Sequence, residues 1–114
     1  MLQTHCVKIR LKPGMVARTR EWAAEINRRV DEANAAIRGE GVVVECAFLD
    51  STPDGDFLIY FMKGRDLSAR AAANQPPGSI GEYHQGFKRE AWENGTRLEA
   101  LIDLDLTDEL SARV

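Results

Sequence analysis

The stretch Gly41–Lys63, GVVVECAFLDSTPDGDFLIYFMK, constrains this chain more than any other. Two β-rich runs flank Pro53-Asp54-Gly55, where proline fixes φ and glycine tolerates a positive φ, so the segment reads as an antiparallel hairpin. The second run, Phe57 to Met62, is apolar on both faces and belongs in the interior of a sheet.

A chain of 114 residues is long enough to bury one core, and residues 1–114 are read as a single domain. Its 44% hydrophobic and 29% charged content suits a soluble globular protein. A formal charge of −3 gives little attraction to nucleic acid or anionic lipid, so neither is expected as a partner. No apolar run approaches the ~18 residues of a membrane span. The N-terminus, MLQTHCVKIRL, alternates and lacks the continuous apolar core of a signal peptide. Two cysteines do not make a secreted disulfide framework, so a cytoplasmic protein with free thiols is expected.

Along the chain, Thr4 to Leu11 alternates as a strand, with His5, Val7, Ile9 and Leu11 on one side and Thr4, Cys6, Lys8 and Arg10 on the other. Pro13 suits a first helical turn. Val16, Thr19, Ala23, Ile26, Val30, Ala33 and Ile37 then predict one unbroken amphipathic helix, closed by Gly39 and Gly41. After the hairpin, Asp66 reads as the cap of a short helix through Ala69, Ala71 and Ala73. Ser79 and Glu82 form a capping box opening another helix, with Ile80, Tyr83, Phe87 and Ala91 as its apolar stripe. Asn94-Gly95 is expected to stop it, and a last strand to run from about Thr96 to Asp105. Leu106 to Val114 reads as a tail or an extra turn.

Strand, helix, strand, strand, helices, strand is the order of a ferredoxin-like α+β fold. It predicts a four-stranded antiparallel sheet of order 4-1-3-2 with the helices on one face. The helix-covered face is expected to hold Val7, Ile9, Val44, Cys46, Phe48, Phe57, Ile59, Phe61, Ala100 and Ile102. The open face then carries Cys6, Lys8, Arg10, Glu45, Ala47, Leu49, Leu58, Tyr60, Met62, Glu99, Leu101 and Asp103. On this assignment Cys6 and Cys46 lie on opposite faces of non-adjacent strands, which excludes a disulfide between them. Four strands about 4.8 Å apart, each about seven residues of 3.4 Å, present a face of roughly 450 Å². Half of its side chains are apolar, and a monomer rarely shows water an apolar patch much beyond a few hundred Å², so a two-fold homodimer through the open face is expected. The alternative is a monomer whose mixed face is solvated.

With the hairpin, CVKIRLKPG at residues 6–14, EYHQGFKREAWE at 82–93 and LEALIDLD at 98–105 in view, the chain resembles an uncharacterised family of small bacterial proteins, a domain of unknown function. The resemblance covers nearly the whole chain and implies a ferredoxin-like fold without an established activity. At fold level it is similar to the dimeric α/β-barrel proteins, among them sugar mutarotases, cofactor-free monooxygenases and haem-degrading enzymes. Fold alone says little about chemistry.

Two constellations stand out. The expected open face gathers Lys8, Arg10, Glu45, Tyr60, Glu99 and Asp103, a set of acids, bases and a phenol fit to hold a small-molecule ligand or to move a proton. Cross-strand ion pairing that sets register is the competing account. The second is Glu45, Tyr60 and His84 as proton-transfer groups of a mutarotase- or monooxygenase-type enzyme; for His84, packing beside Phe87 with a backbone hydrogen bond competes. Whether the chain is an enzyme at all stays open, with ligand binding without catalysis as the first reading. No C-x-x-C, H-x-x-x-H or H-x-x-E run supports a metal site, and no Gly-rich phosphate loop is present, so no metal or cofactor is expected. Trp22 and Trp92 read as helix-edge packing, with a ligand-pocket lining as the alternative.

Overall fold

The computed structural model describes residues 2–67, 75–107 and 109. Strand β1 (Gln3–Leu11) leads to helices α1 (Val16–Arg28) and α2 (Val30–Gly39), the hairpin β2 (Val42–Thr52) and β3 (Gly55–Gly64), helix α3 (Ile80–Ala91) and strand β4 (Trp92–Arg97). The sheet is antiparallel in the order β2-β3-β1-β4, which is the expected 4-1-3-2 read from the other edge. The hairpin turns where Thr52 pairs with Gly55. Thr52 Oγ1 donates to the Gly55 carbonyl at 2.8 Å and accepts from the Asp54 N–H at 3.2 Å.

The single long helix expected over residues 16–37 is two helices. They part at Arg29, whose φ of −105° and ψ of 39° leave helical space. Its N–H is shared between the Glu25 and Ile26 carbonyls at 3.0 and 3.2 Å. Its guanidinium meanwhile reaches the Gly78 carbonyl at 3.0 Å. This tertiary contact marks the kink, where the sequence has neither proline nor glycine to announce one. Glu32 then accepts from the Ile80 N–H at 2.6 Å, which ties α2 to the start of α3. Arg18 joins α1 to α3 through Glu90 at 2.9 Å and the Tyr83 hydroxyl at 3.0 Å.

Helix α3 starts as its capping box predicts, with Ser79 Oγ accepting from the Glu82 N–H at 3.1 Å. It ends at Ala91, three residues before Asn94-Gly95. Those two residues lie inside β4, where Gly95 pairs with Ile9. A β-carbon on Gly95 would stand 3.2 Å from Val7 Cγ1, so the glycine belongs to close strand packing. The expected strand over Thr96–Asp105 is therefore shifted. Its first residues pair with β1, while Leu98 closes the ladder with one bond to the Cys6 carbonyl at 2.8 Å. Beyond it the chain leaves the sheet, so Ala100 and Ile102 are not under the helices. Glu99 and Leu101 are exposed outside the sheet. The expected helix through Ala69, Ala71 and Ala73 lies outside the described residues.

Register decides the faces. Val7 pairs with Tyr60 and Ile9 with Leu58 across β1 and β3, while Ala47 pairs with Tyr60 and Leu49 with Leu58 across β2 and β3. Directly paired residues share a face. Buried Ile9, Leu11, Leu58 and Tyr60 therefore meet Trp22, Phe87 and Ala91 in one core. The assignment of β1 holds, but those of β2 and β3 are reversed. Glu45, Ala47, Leu49, Leu58, Tyr60 and Met62 lie beneath the helices. Val44, Cys46, Phe48, Phe57, Ile59 and Phe61 lie on the open face with Cys6, Lys8 and Arg10. Both hairpin strands are apolar on both sides, so alternation alone could not orient them; pairing with the one-sided β1 did. Cys6 and Cys46 thus share a face, both opposite Phe61. They remain two strand spacings apart, about 10 Å, so the disulfide is still excluded, though by distance rather than by face. Both are free.

Candidate functional site

The reversed hairpin moves the polar groups of interest into a cavity between sheet and helices. Its volume is about 530 Å³. Leu49, Leu58, Tyr60 and Glu45 contribute to the floor, Trp22 and Ile26 come from α1, and His84 and Lys88 from α3. The opposite wall is α2, whose Ala33, Ala36 and Ile37 line the cavity. None of its residues is buried. An amphipathic helix normally seats its apolar stripe on the sheet. Here the kink at Arg29 separates α2 from α1, and the stripe faces cavity instead.

Tyr60 is only 7% exposed, and its hydroxyl donates to Glu45 Oε2. Burial first, then the Glu45 charge and this hydrogen bond, hold the phenol well above the usual tyrosine range. His84 lies beside it, with ring centroids 6.0 Å apart. Burial, helped by the Lys88 charge, lowers His84 to about 4. The imidazole is therefore neutral at physiological pH. Trp22 donates its indole N–H to His84 Nδ1 at 3.2 Å. Trp92 closes the group edge-on, 5.8 Å from Tyr60 and 6.2 Å from His84. Lys88 lies over its ring at 4.7 Å.

Glu40, the residue that caps α2, lines the same cavity. Desolvation, then the neighbouring Glu45 charge, push its carboxyl above the usual range, against a smaller opposing pull from Lys88. Thr19 Oγ1 and Trp92 Nε1 are buried with no hydrogen-bond partner among the described residues. Both residues line the cavity.

Of the residues singled out in the sequence, the structure brings Glu45, Tyr60 and His84 together and leaves Lys8, Arg10, Glu99 and Asp103 elsewhere. Lys8 and Arg10 flank the Phe57 ring on the open face at 4.4 and 4.7 Å, and Lys8 lies 4.0 Å from Asp50. Asp103 accepts from Thr4 Oγ1 and from Lys63 Nζ, each at 2.7 Å. Glu99 is exposed in the segment that has left the sheet. The open-face cavity joining these residues to Tyr60 therefore does not exist, because Tyr60 and Glu45 point to the other side. Glu40 is the residue that sequence reading missed as a site member, whereas Trp22 and Trp92 line the cavity, as the alternative to helix-edge packing had it. Trp22 follows Thr19 by three positions on the apolar stripe, a spacing that fits this placement; Glu40 carried no such signal. Among the described residues no group of three or more His, Cys, Asp or Glu side chains converges as a metal site. No helix among them is long and apolar enough to cross a membrane.

A crystal structure of an L-rhamnose mutarotase from Formosa agariphila is similar in fold, with a TM-score of 0.60 and 15% identity, over 90% of this chain and 99% of that one. Proteins of curated function give no significant match. Residues 2–109 match the model of a family of unknown function, DUF6176, and the chain belongs to that family.

Proposed function

We propose that the cavity under the helices binds a small polyhydroxylated molecule and catalyses proton transfer on it, as in the interconversion of sugar anomers. One observation carries this reading: a buried phenol hydrogen-bonded to a carboxylate, beside a neutral imidazole, in a cavity large enough for a monosaccharide. The similarity to a mutarotase supports the reaction class.

In this reading the anomeric hydroxyl gives its proton to the Tyr60 oxygen while the Tyr60 proton passes to Glu45. The phenol stays neutral throughout, as its raised pKa requires. The bond between the anomeric carbon and the ring oxygen breaks, and the ring oxygen takes the proton that Glu40 carries in its acid form, the form that burial and the Glu45 charge favour. Rotation of the aldehyde and reversal of both transfers give the other anomer and restore both carboxyl groups.

The same proposal includes a homodimer through the open sheet face. Phe48 is 59% exposed there, and Leu101, Ile102 and Leu104 of the segment after β4 are 83, 80 and 89% exposed. That segment is pinned to the sheet by Asp103 and by Asp105, which lies 3.1 Å from Lys63. Its apolar side chains and the open face are the surfaces a second copy would cover. The two free thiols support a cytoplasmic location.

Trp22 and Trp92 are the only tryptophans and both line the cavity, so their indole N–H resonances report on binding directly. Titration with a panel of neutral aldoses, L-rhamnose included, is expected to shift both. Silence of both indoles across the panel contradicts the proposal.

A further inference from the structure

We infer that Trp22 is a positioning residue that locks His84 into the tautomer carrying its proton on Nε2, so that His84 offers the ligand a neutral N–H donor and never acts as the base. The inference rests on the proton-transfer reading only for its consequence in catalysis; the tautomer itself follows from the local geometry.

An indole nitrogen donates and cannot accept. With Trp22 Nε1 3.2 Å from His84 Nδ1, the imidazole nitrogen must be the acceptor, and the single proton of the neutral ring is on Nε2. Trp22 is itself immobile: 5% exposed, stacked on Phe87 at 4.6 Å with an 8° angle between planes, and packed 6.4 Å from Tyr60. A half-turn of the His84 ring would put carbon against the indole N–H and leave a buried donor unpaired. The two residues come from α1 and α3, and Arg18 clamps those helices through Glu90 and Tyr83.

The groups around the imidazole fit this assignment. Lys88 on the same helix opposes a second proton, and burial opposes it further. Tyr60 on β3 is committed as a donor to Glu45 on β2, and Glu40 after α2 lines the cavity beside them. The acceptor role in the cavity therefore belongs to carboxylate, reached through Tyr60. A neutral imidazole N–H parts with its proton reluctantly but stabilises an oxygen that gains negative charge. The structure thus divides the work: Tyr60 and Glu45 accept the proton, and His84 steadies the oxygen.

The experiment is long-range ¹⁵N–¹H correlation NMR of the imidazole nitrogens near pH 7, in the wild-type protein and in Trp22→Phe. The expected wild-type spectrum shows His84 Nε2 protonated and Nδ1 bare. In Trp22→Phe the ring is expected to report a mixture of both tautomers, and kcat for anomer exchange to fall roughly tenfold or more with KM little changed. A wild-type ring protonated on Nδ1, or doubly protonated, overturns the inference without any variant having to fold. So does a folded Trp22→Phe protein with the wild-type imidazole pattern. Should no aldose exchange, the tautomer spectrum decides this inference alone, and the sugar reading fails separately.

Discussion

The His84 environment predicts a specific dependence of stability on pH. Burial and the Lys88 charge lower the folded-state pKa from 6.5 to about 4. In the unfolded chain the same imidazole takes its proton near the ordinary value. Between those two pH values the unfolded state binds more protons than the folded one, so stability falls as pH drops through that window. The contribution is fully present above pH 6.5, is lost progressively toward pH 4, and is constant below that. A depression of this size corresponds to on the order of 3 kcal/mol. Glu25, Glu32, Asp103 and Asp105 all have lowered carboxyl pKa values, so their contributions also fade in acid. Wild type must therefore be compared with His84→Gln, which keeps an acceptor for the Trp22 N–H and does not titrate. Urea unfolding at a series of pH values is the assay. The wild type is expected to lose on the order of 3 kcal/mol more than His84→Gln between neutral pH and about pH 4. Identical pH slopes for the two proteins refute the burial argument.

Other expectations follow from particular contacts. Tyr60→Phe removes the donor to Glu45; anomer exchange should drop by about 10²–10⁴, the usual worth of acid–base catalysis, as read by saturation-transfer NMR. Gly64→Ala would place a β-carbon 2.7 Å from the Gly41 carbonyl oxygen and 3.0 Å from Val42 Cα. Backbone on both sides leaves no room for relief, so urea unfolding should show a loss of about 1–3 kcal/mol. Phe48→Asp should turn a dimer into a monomer by light scattering, while a wild-type monomer at micromolar concentration would contradict the dimer proposal.

Much of the fold was legible in the sequence. The Pro53-Asp54-Gly55 turn, the one-sided β1 and the Ser79–Glu82 capping box each carry a local physical signal, and element order then restricts the topology to the ferredoxin-like arrangement. What was not legible depends on contacts distant in sequence. The kink at Arg29 goes with Gly78, forty-nine residues away. The start of β4 at Trp92 reflects pairing with Leu11, which made an apparent turn at Asn94-Gly95 into strand. The largest difference concerns β2 and β3, whose two apolar faces carry no alternation to read. Reversing them split the expected open-face cluster. Glu45 and Tyr60 moved under the helices to meet His84, and Lys8 and Arg10 remained outside. The trio Glu45, Tyr60 and His84 could be assembled from residue chemistry, whereas Glu40 entered only through the fold.

The most direct test of the site is the rate of aldose anomer exchange measured side by side for wild type, Glu45→Gln and Arg10→Ala. A site beneath the helices predicts acceleration over buffer in the wild type, its loss in Glu45→Gln, and its retention in Arg10→Ala. Exchange no faster than buffer for every aldose, or loss in Arg10→Ala with full activity in Glu45→Gln, would contradict it.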